Sequence, residues 1–375
     1  MSPAGRKTRP RRGGMSRPGL LAGLVVGATA ACGKGGGTAP PIESLAYPSD
    51  TLLAEWAQIP LAAPYGSGRW VVVAADWDAA VVADFGAKTL TPLGASSGSG
   101  GKRAYVHPFG LFAAGDTIYL SDWGGRRTTV WSPEGKLLDS IPAADPLRGS
   151  YPRGRDAAGQ LYFEVPPIAG PDGRGNGDSA AIVRAPRSLA SFDTVARLAP
   201  LEILEMRRDN ASRFEPRVYG GKDLWGVWRD GTVWIARVRR NQIVSSDPRG
   251  SVHRGPELPD PVYEVEQADR DRYLQGFPAD VRPNETDIAF ALIYPPFAAA
   301  FTTGDSLIWL EKSKTVLDSL RRIQTVDRGG NLLRVFQLTG QGRVIAIAAG
   351  AMLVAEQYAS GVRLMQVRIP GPPPR

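Results

Sequence analysis

Six times along this chain a turn containing glycine is followed by a short apolar strand with an aromatic or branched residue near its centre. The copies are Gly68–Val73, Gly115–Leu120, Gly159–Phe163, Gly231–Ile235, Gly304–Leu310 and Gly350–Val354. A unit of this size cannot bury both of its own faces, so each copy must stack on its neighbours. That requirement restricts the architecture before any single residue is considered, and it leaves the chemistry open.

Each copy continues in the same rhythm. In the second, the strand leads into a polar loop at Asp122, then Thr128–Trp131, a turn at Pro133–Gly135, and Leu137–Ile141. In the fifth, Leu307–Leu310 is followed by Arg322–Val326, a turn at Asp327–Gly330, and Leu332–Leu338. Such turns suit tight hairpins because glycine accepts the positive φ that other residues resist. The 44 glycines and 32 prolines also fit an all-β chain of many turns, and long helical periodicity is nearly absent. Antiparallel strands in this order make the blade of a β-propeller. The fold expected is all-β, a six-bladed β-propeller.

The last copy supplies only three strands, Val344–Ala348, Ala351–Glu356 and Val362–Ile369. The segment Thr51–Ile59 is therefore predicted to complete the final blade and close the ring, which leaves no edge unpaired. Short intervals between copies match one blade, and long ones imply insertions. These are expected at residues 166–179, inside the third blade, and at residues 200–222 and 257–294, between blades. Val262–Phe277 is the best helix candidate, with Asp269, Arg270 and Arg272 on its polar side.

Residues 1–19 are basic and rich in proline and glycine, and residues 20–31 form a continuous apolar run. The run is shorter than the roughly 20 residues a spanning helix needs. It has the length of a secretory h-region. Ala30 and Ala31 then precede Cys32, the only cysteine. This stretch resembles a bacterial lipoprotein signal, in which small residues precede the cysteine that is lipidated. Thr29 stands where that family prefers leucine. The resemblance implies diacylation of Cys32 and cleavage before it, and more than one acyl chain makes anchoring stable. A plain signal cleaved after Ala31 is the other reading, and Met15 is an alternative start. The organisation expected is a signal peptide at 1–31, a flexible tether at 32–44, the propeller at 45–370 and a disordered tail at 371–375. The protein is expected to be exported and lipid-anchored in a bacterial cell envelope, outside the cytoplasm and monomeric.

A glycine-rich approach at Leu93–Gly101, then Pro108, the strand Ile118–Leu120 and Asp122 follow one another in the second copy. In this order the chain resembles the NHL-like, TolB-like superfamily of six-bladed β-propellers. Members usually carry a Gly-Pro-Gly-Glu-Phe-like stretch before the proline, where this chain has Gly100–Pro108, so the likeness is to the superfamily and to no subgroup. Propellers host binding proteins, lyases and hydrolases alike, so the resemblance implies a fold and no function.

The net charge of +8 suggests nucleic acid until its position is considered. Arg6, Lys7, Arg9, Arg11, Arg12 and Arg17 all precede Cys32 with no acid among them, and the remainder is close to neutral. Phosphate binding needs clustered cations on one face. The best local cluster, Arg237–Arg240, reads as the exposed face of a strand, and no nucleic-acid partner is expected.

Catalytic motifs fail one by one. His107 and His253 are the only histidines, and neither has metal-ligand spacing. Asp172–Asp178 departs from a calcium loop, with Arg174 at the third position and Val183 at the twelfth. Gly98–Arg103 lacks the residues of a phosphate loop, and no Gly-x-Ser-x-Gly elbow is present. Asp76, Asp84, Asp122 and Glu164 flank central strands and are expected to fasten loops; calcium in the channel is the other reading. Of the nine tryptophans, Trp70, Trp234 and Trp309 are expected between blades. Trp77, Trp123 and Trp225 are assigned to loops, as a possible recognition surface. The reading is a non-catalytic binding or scaffold module for an envelope protein or glycan, with no catalytic residue, metal or cofactor. The alternative is a calcium-dependent, lactonase-like hydrolase or lyase, which needs convergent oxygen ligands in the channel.

Overall fold

The computed structural model describes residues 40–46, 50–58, 61–66, 68–74, 79–94, 105–208, 211–259, 263–304 and 306–371. Six antiparallel blades follow in chain order. Blade I comprises Leu61–Pro64, Arg69–Ala74, Ala79–Asp84 and Thr89–Pro92. Blade II comprises Pro108–Ala114, Thr117–Asp122, Arg127–Trp131 and Leu137–Pro142. Blade III comprises Pro152–Arg155, Leu161–Val165, Ala181–Ala185 and Asp193–Arg197. Blade IV comprises Leu224–Val227, Val233–Arg237, Gln242–Ser246 and Val252–Glu257. Blade V comprises Phe297–Thr302, Ile308–Lys312, Leu320–Val326 and Leu332–Thr339. Blade VI takes Arg343–Ala348, Ala351–Tyr358 and Gly361–Arg368 from the end of the chain.

The fourth strand of blade VI is Thr51–Ala54, antiparallel to Gly361–Arg368 with Thr51 opposite Met365 and Ala54 opposite Val362. The predicted closure is therefore present. Gly361 makes it possible, since a Cβ there would sit 2.1 Å from the carbonyl oxygen of Ala54. The first strands of successive blades touch one another in an unbroken circuit that returns from blade VI to blade I. These strands line the axis.

The start of the propeller differs from the expectation. Residues 42–44, assigned to the end of the tether, are part of the strand Ile42–Leu45, laid parallel against Leu332–Thr339, giving blade V a fifth strand. Glu43 accepts two hydrogen bonds from the Arg334 guanidinium, at 2.7 and 2.6 Å, and fastens it there. The residues before Pro40, including Cys32, and residues 372–375 of the tail lie outside the described residues.

Strand periodicity explains the packing. Alternate side chains point to opposite faces, and both faces of a blade are covered by neighbours. Trp70 and Val72 face blade VI, while Val71 and Val73 pack with Ile118, Leu120 and Trp131 of blade II. Six buried apolar clusters result, each shared by two adjacent blades, and one of them joins VI to I. Trp70, Trp234 and Trp309 are buried in these seams, as expected. Trp70 also donates from Nε1 to Oε1 of Gln366 at 2.9 Å, across the closing seam.

The insertions fold onto one end of the ring. Residues 166–179 connect the second and third strands of blade III, as expected. Between blades III and IV, Ile203–Arg208 and Ala211–Pro216 form a hairpin. Between IV and V the helix is shorter than predicted, Gln267–Gln275. Asp269 is not on its exposed side. It is buried in a capping box, where it accepts the Glu266 N–H at 3.0 Å and, from the next blade's loop, the Val316 N–H at 2.8 Å. The two insertions are tied together. The Val218 N–H donates to Ala289, and the Ala291 N–H donates back to Val218. Tyr219, Tyr273, Phe290 and Tyr294 form a ring cluster over this junction. Arg237–Arg240 is likewise not one strand face. Arg237 ends a strand and pairs with the buried Asp223 at 2.6 Å, while Val238–Arg240 is a short 3-10 turn. Among the described residues no helix is long and apolar enough to cross a membrane.

Candidate binding site at one mouth of the channel

Antiparallel connection places the start of each first strand, the end of each second strand and the start of each third strand at the same end of the ring. In blade V this puts Glu311, Lys312 and Arg321 there, followed by the loop carrying Ser313 and Lys314. Blade III adds Arg153, and blade VI adds Arg343, Val344 and Ile345. The knotted insertions supply Tyr219, Gly220, Tyr294 and Pro295. With Ala298–Phe301, Leu61 and Leu224, these residues line a half-open cavity of about 710 Å³.

Its charge is one-sided. Among the described residues, Arg153, Lys312, Lys314, Arg321 and Arg343 line it, against the single carboxylate of Glu311. That carboxylate is already occupied, since it is buried, receives the Arg321 guanidinium and accepts from the Val344 amide. Burial pushes the Glu311 pKa above its ordinary value, and the nearby Arg321 and Arg343 only partly offset this. Arg153 pairs with Glu164, which also receives Lys222 and the Nε1–H of Trp225 at 2.8 Å. Burial opposes ionisation of Glu164, but Arg153, Lys222 and Trp225 outweigh it and hold its pKa below the usual range. Lys312 is buried with its ammonium 5.5 Å from the Phe297 ring centroid.

Two cations have no carboxylate of their own. Lys314 donates to the Asp318 carbonyl at 3.1 Å and to Oε1 of Gln341 at 3.4 Å, both neutral oxygens. Burial and the neighbouring Arg321 lower its pKa, and Asp318 and Glu311 offset part of that. Arg343 is exposed to the cavity and, among the described residues, has no hydrogen-bonded or ion-paired partner.

The tryptophans suggested by the sequence divide. Cys32 and Trp77 lie outside the described residues. Trp123 follows the second strand of blade II at the same end of the ring and is 68% exposed, but it does not line the cavity. Trp225 is not in a loop. It lies within the first strand of blade IV, half-buried, with the Arg153 guanidinium 5.6 Å from its ring centroid, and so backs a residue that does line the cavity. Two of the four acidic residues, Asp122 and Asp84, fasten loops as expected, whereas Glu164 receives side chains. Asp122 accepts the His107 N–H at 2.8 Å and Asp84 accepts the Ala87 N–H at 2.9 Å. Asp76 is outside the described residues. His107 and His253 are exposed.

Sequence reasoning missed the cationic lining. One signal was available: Glu311-Lys312-Ser313-Lys314 follows its apolar strand directly, where the second copy has Ser121-Asp122. The rest comes from positions far apart in the chain. The calcium alternative asks for convergent oxygen ligands; among the described residues no three His, Cys, Asp or Glu side chains cluster in a way that would hold a metal.

No family model matches this chain. No curated protein matches it either. Solved structures do. A streptogramin B lyase aligns at 11% identity and a TM-score of 0.40, covering 85% of this chain and 98% of its own. A member of the duf4221 family from Bacteroides vulgatus aligns at 6% identity and a TM-score of 0.46, over 85% of this chain and 98% of its own. A gluconolactonase from Xanthomonas campestris aligns at 9% identity and a TM-score of 0.43, over 87% of this chain and 98% of its own. At such identities a likeness concerns shape, and activity does not travel with it.

Proposed function

We propose that this protein is an exported, lipid-anchored β-propeller that acts as a non-catalytic binding module for a partner in the cell envelope. Its recognition site is the charged mouth of the channel. The observation that carries the reading is the preformed cavity of about 710 Å³ on the axis, with five cationic side chains against one occupied carboxylate. Its size falls in the range of ligand pockets. Its cations repel a divalent metal. The apolar run and the small residues before Cys32 support anchoring through that cysteine.

Two measurements test this. On cell fractionation, the wild-type chain sediments with membranes, and Cys32→Ser moves to the soluble fraction while remaining folded; sedimentation of the variant would overturn the anchor. Wild type captures a partner from detergent-solubilised envelope, and the double variant Lys314→Glu/Arg343→Glu loses it. Equal capture by both would move the recognition site away from the mouth, and capture by neither would overturn the binding module.

A further inference from the structure

Resting on that reading, we propose that the mouth of the channel binds an anionic oxygen group, a carboxylate or a phosphate, carried on a body with apolar surface. Lys314 and Arg343 are its direct charge partners.

Arg321 is committed to Glu311, and Arg153 to Glu164. Lys314 and Arg343 feel the Glu311 charge, and Lys314 that of Asp318, but among the described residues neither is salt-bridged to a carboxylate, and both line one concave space. Like charges that converge in a concave, partly apolar space repel one another, and their field concentrates small anions there. The Lys314 pKa is lowered by burial and by Arg321, and an anion beside the ammonium would offset the repulsion. A planar guanidinium offers two parallel donors to a carboxylate or phosphate, whereas an ammonium acts as a point charge.

The apolar wall describes the rest of the ligand. Pro295, Ala298–Phe301, Val344 and Ile345 present carbon. The hydroxyl of Tyr219 is spent on the Asp269 carbonyl at 3.0 Å, so that residue offers its ring and not its polar tip. An inorganic ion would leave this wall unused, and a neutral apolar molecule would leave the cations unpaired.

The test uses the full-length protein in detergent and three probes that share one body: 3-phenylpropanoate, 3-phenylpropyl phosphate and neutral 3-phenylpropanol. Calorimetric titration is expected to show at least one anion binding about tenfold tighter than the alcohol, more weakly as salt is added. Preference for the carboxylate identifies an organic acid, and preference for the phosphate a phosphate ester. Arg343→Gln and Lys314→Gln each weaken the favoured anion about tenfold with the melting temperature unchanged. If all three probes bind alike and neither substitution matters, the anion proposal falls while the binding module stands. If no probe binds up to about 10 mM, yet envelope capture still depends on Lys314 and Arg343, the apolar-bodied anion is overturned and the module again stands. If capture is lost as well, both fall.

Discussion

The seams between blades and the mouth of the channel solve opposite problems with the same strands. In blade V the second strand runs Ile308, Trp309, Leu310 and then Glu311 and Lys312, and all five side chains are buried. The first three meet carbon on the neighbouring blades. The last two bring charge into a desolvated site and need Arg321 and the Phe297 ring to tolerate it. A seam gains stability from every residue it covers. At the mouth, burying charge costs stability, and the pair only partly recovers the cost. The ring is therefore held by its seams, and the charged mouth adds little to holding it.

The largest effects should come from breaking a seam. Trp70→Ala removes a fully buried indole and its bond to Gln366 at the closing seam, and should cost about 3–5 kcal/mol in denaturant unfolding. Trp123→Ala, at an exposed loop on the mouth side, should change stability by less than about 0.5 kcal/mol. Equal losses from the two would erase the distinction between seam and mouth.

Next comes the buried pair. Arg321→Gln leaves the Glu311 carboxylate desolvated and should cost about 3 kcal/mol near neutral pH. The loss should ease under acid as Glu311 takes up a proton. Replacing both residues with apolar ones, Glu311→Leu/Arg321→Met, should restore most of it. A double variant no better than the single one would mean that the pair is a net source of stability, like a seam.

The smallest effect separates two carboxylates within the mouth region. The pKa of Glu311 is raised from 4.5 on folding, so the native state holds that proton more tightly. Its contribution is complete below about 4 and is lost as pH rises through the raised value. The pKa of Glu164 is lowered from 4.5, so its contribution is present above that value and is lost as pH falls through the lowered one. Stability measured from about pH 3 to 7 should therefore fall with pH in wild type relative to Glu311→Gln, and rise relative to Glu164→Gln. Slopes of the same sign would show that the two sites share one environment.

Much of the seam was legible. Glycine turns and apolar runs located a strand of every blade, and the missing fourth strand of blade VI was found by asking what would cover its edge. The mouth was far less legible. Arg153, Lys314, Arg321 and Arg343 belong to three different blades and carry no common spacing. Asp269 looked like a solvated helix residue because its partner amide, Val316, lies 47 residues away. Trp225 looked like a loop residue because Glu164, which accepts its Nε1–H, is 61 residues distant. Ile42–Leu45 looked like tether because its pairing is parallel, to a strand near the other end of the chain.

The amino-acid order alone determined the repeat, the alternation of buried faces and the need for an outside strand to finish the ring. All three follow from local rules, the period of two along a strand and the cost of an unpaired edge. Chain folding in three dimensions was needed to show that two long insertions tie together and that cations from separate blades line the same cavity as they do. Charge at a point in space depends on which distant residues meet there, and no spacing along the chain records that.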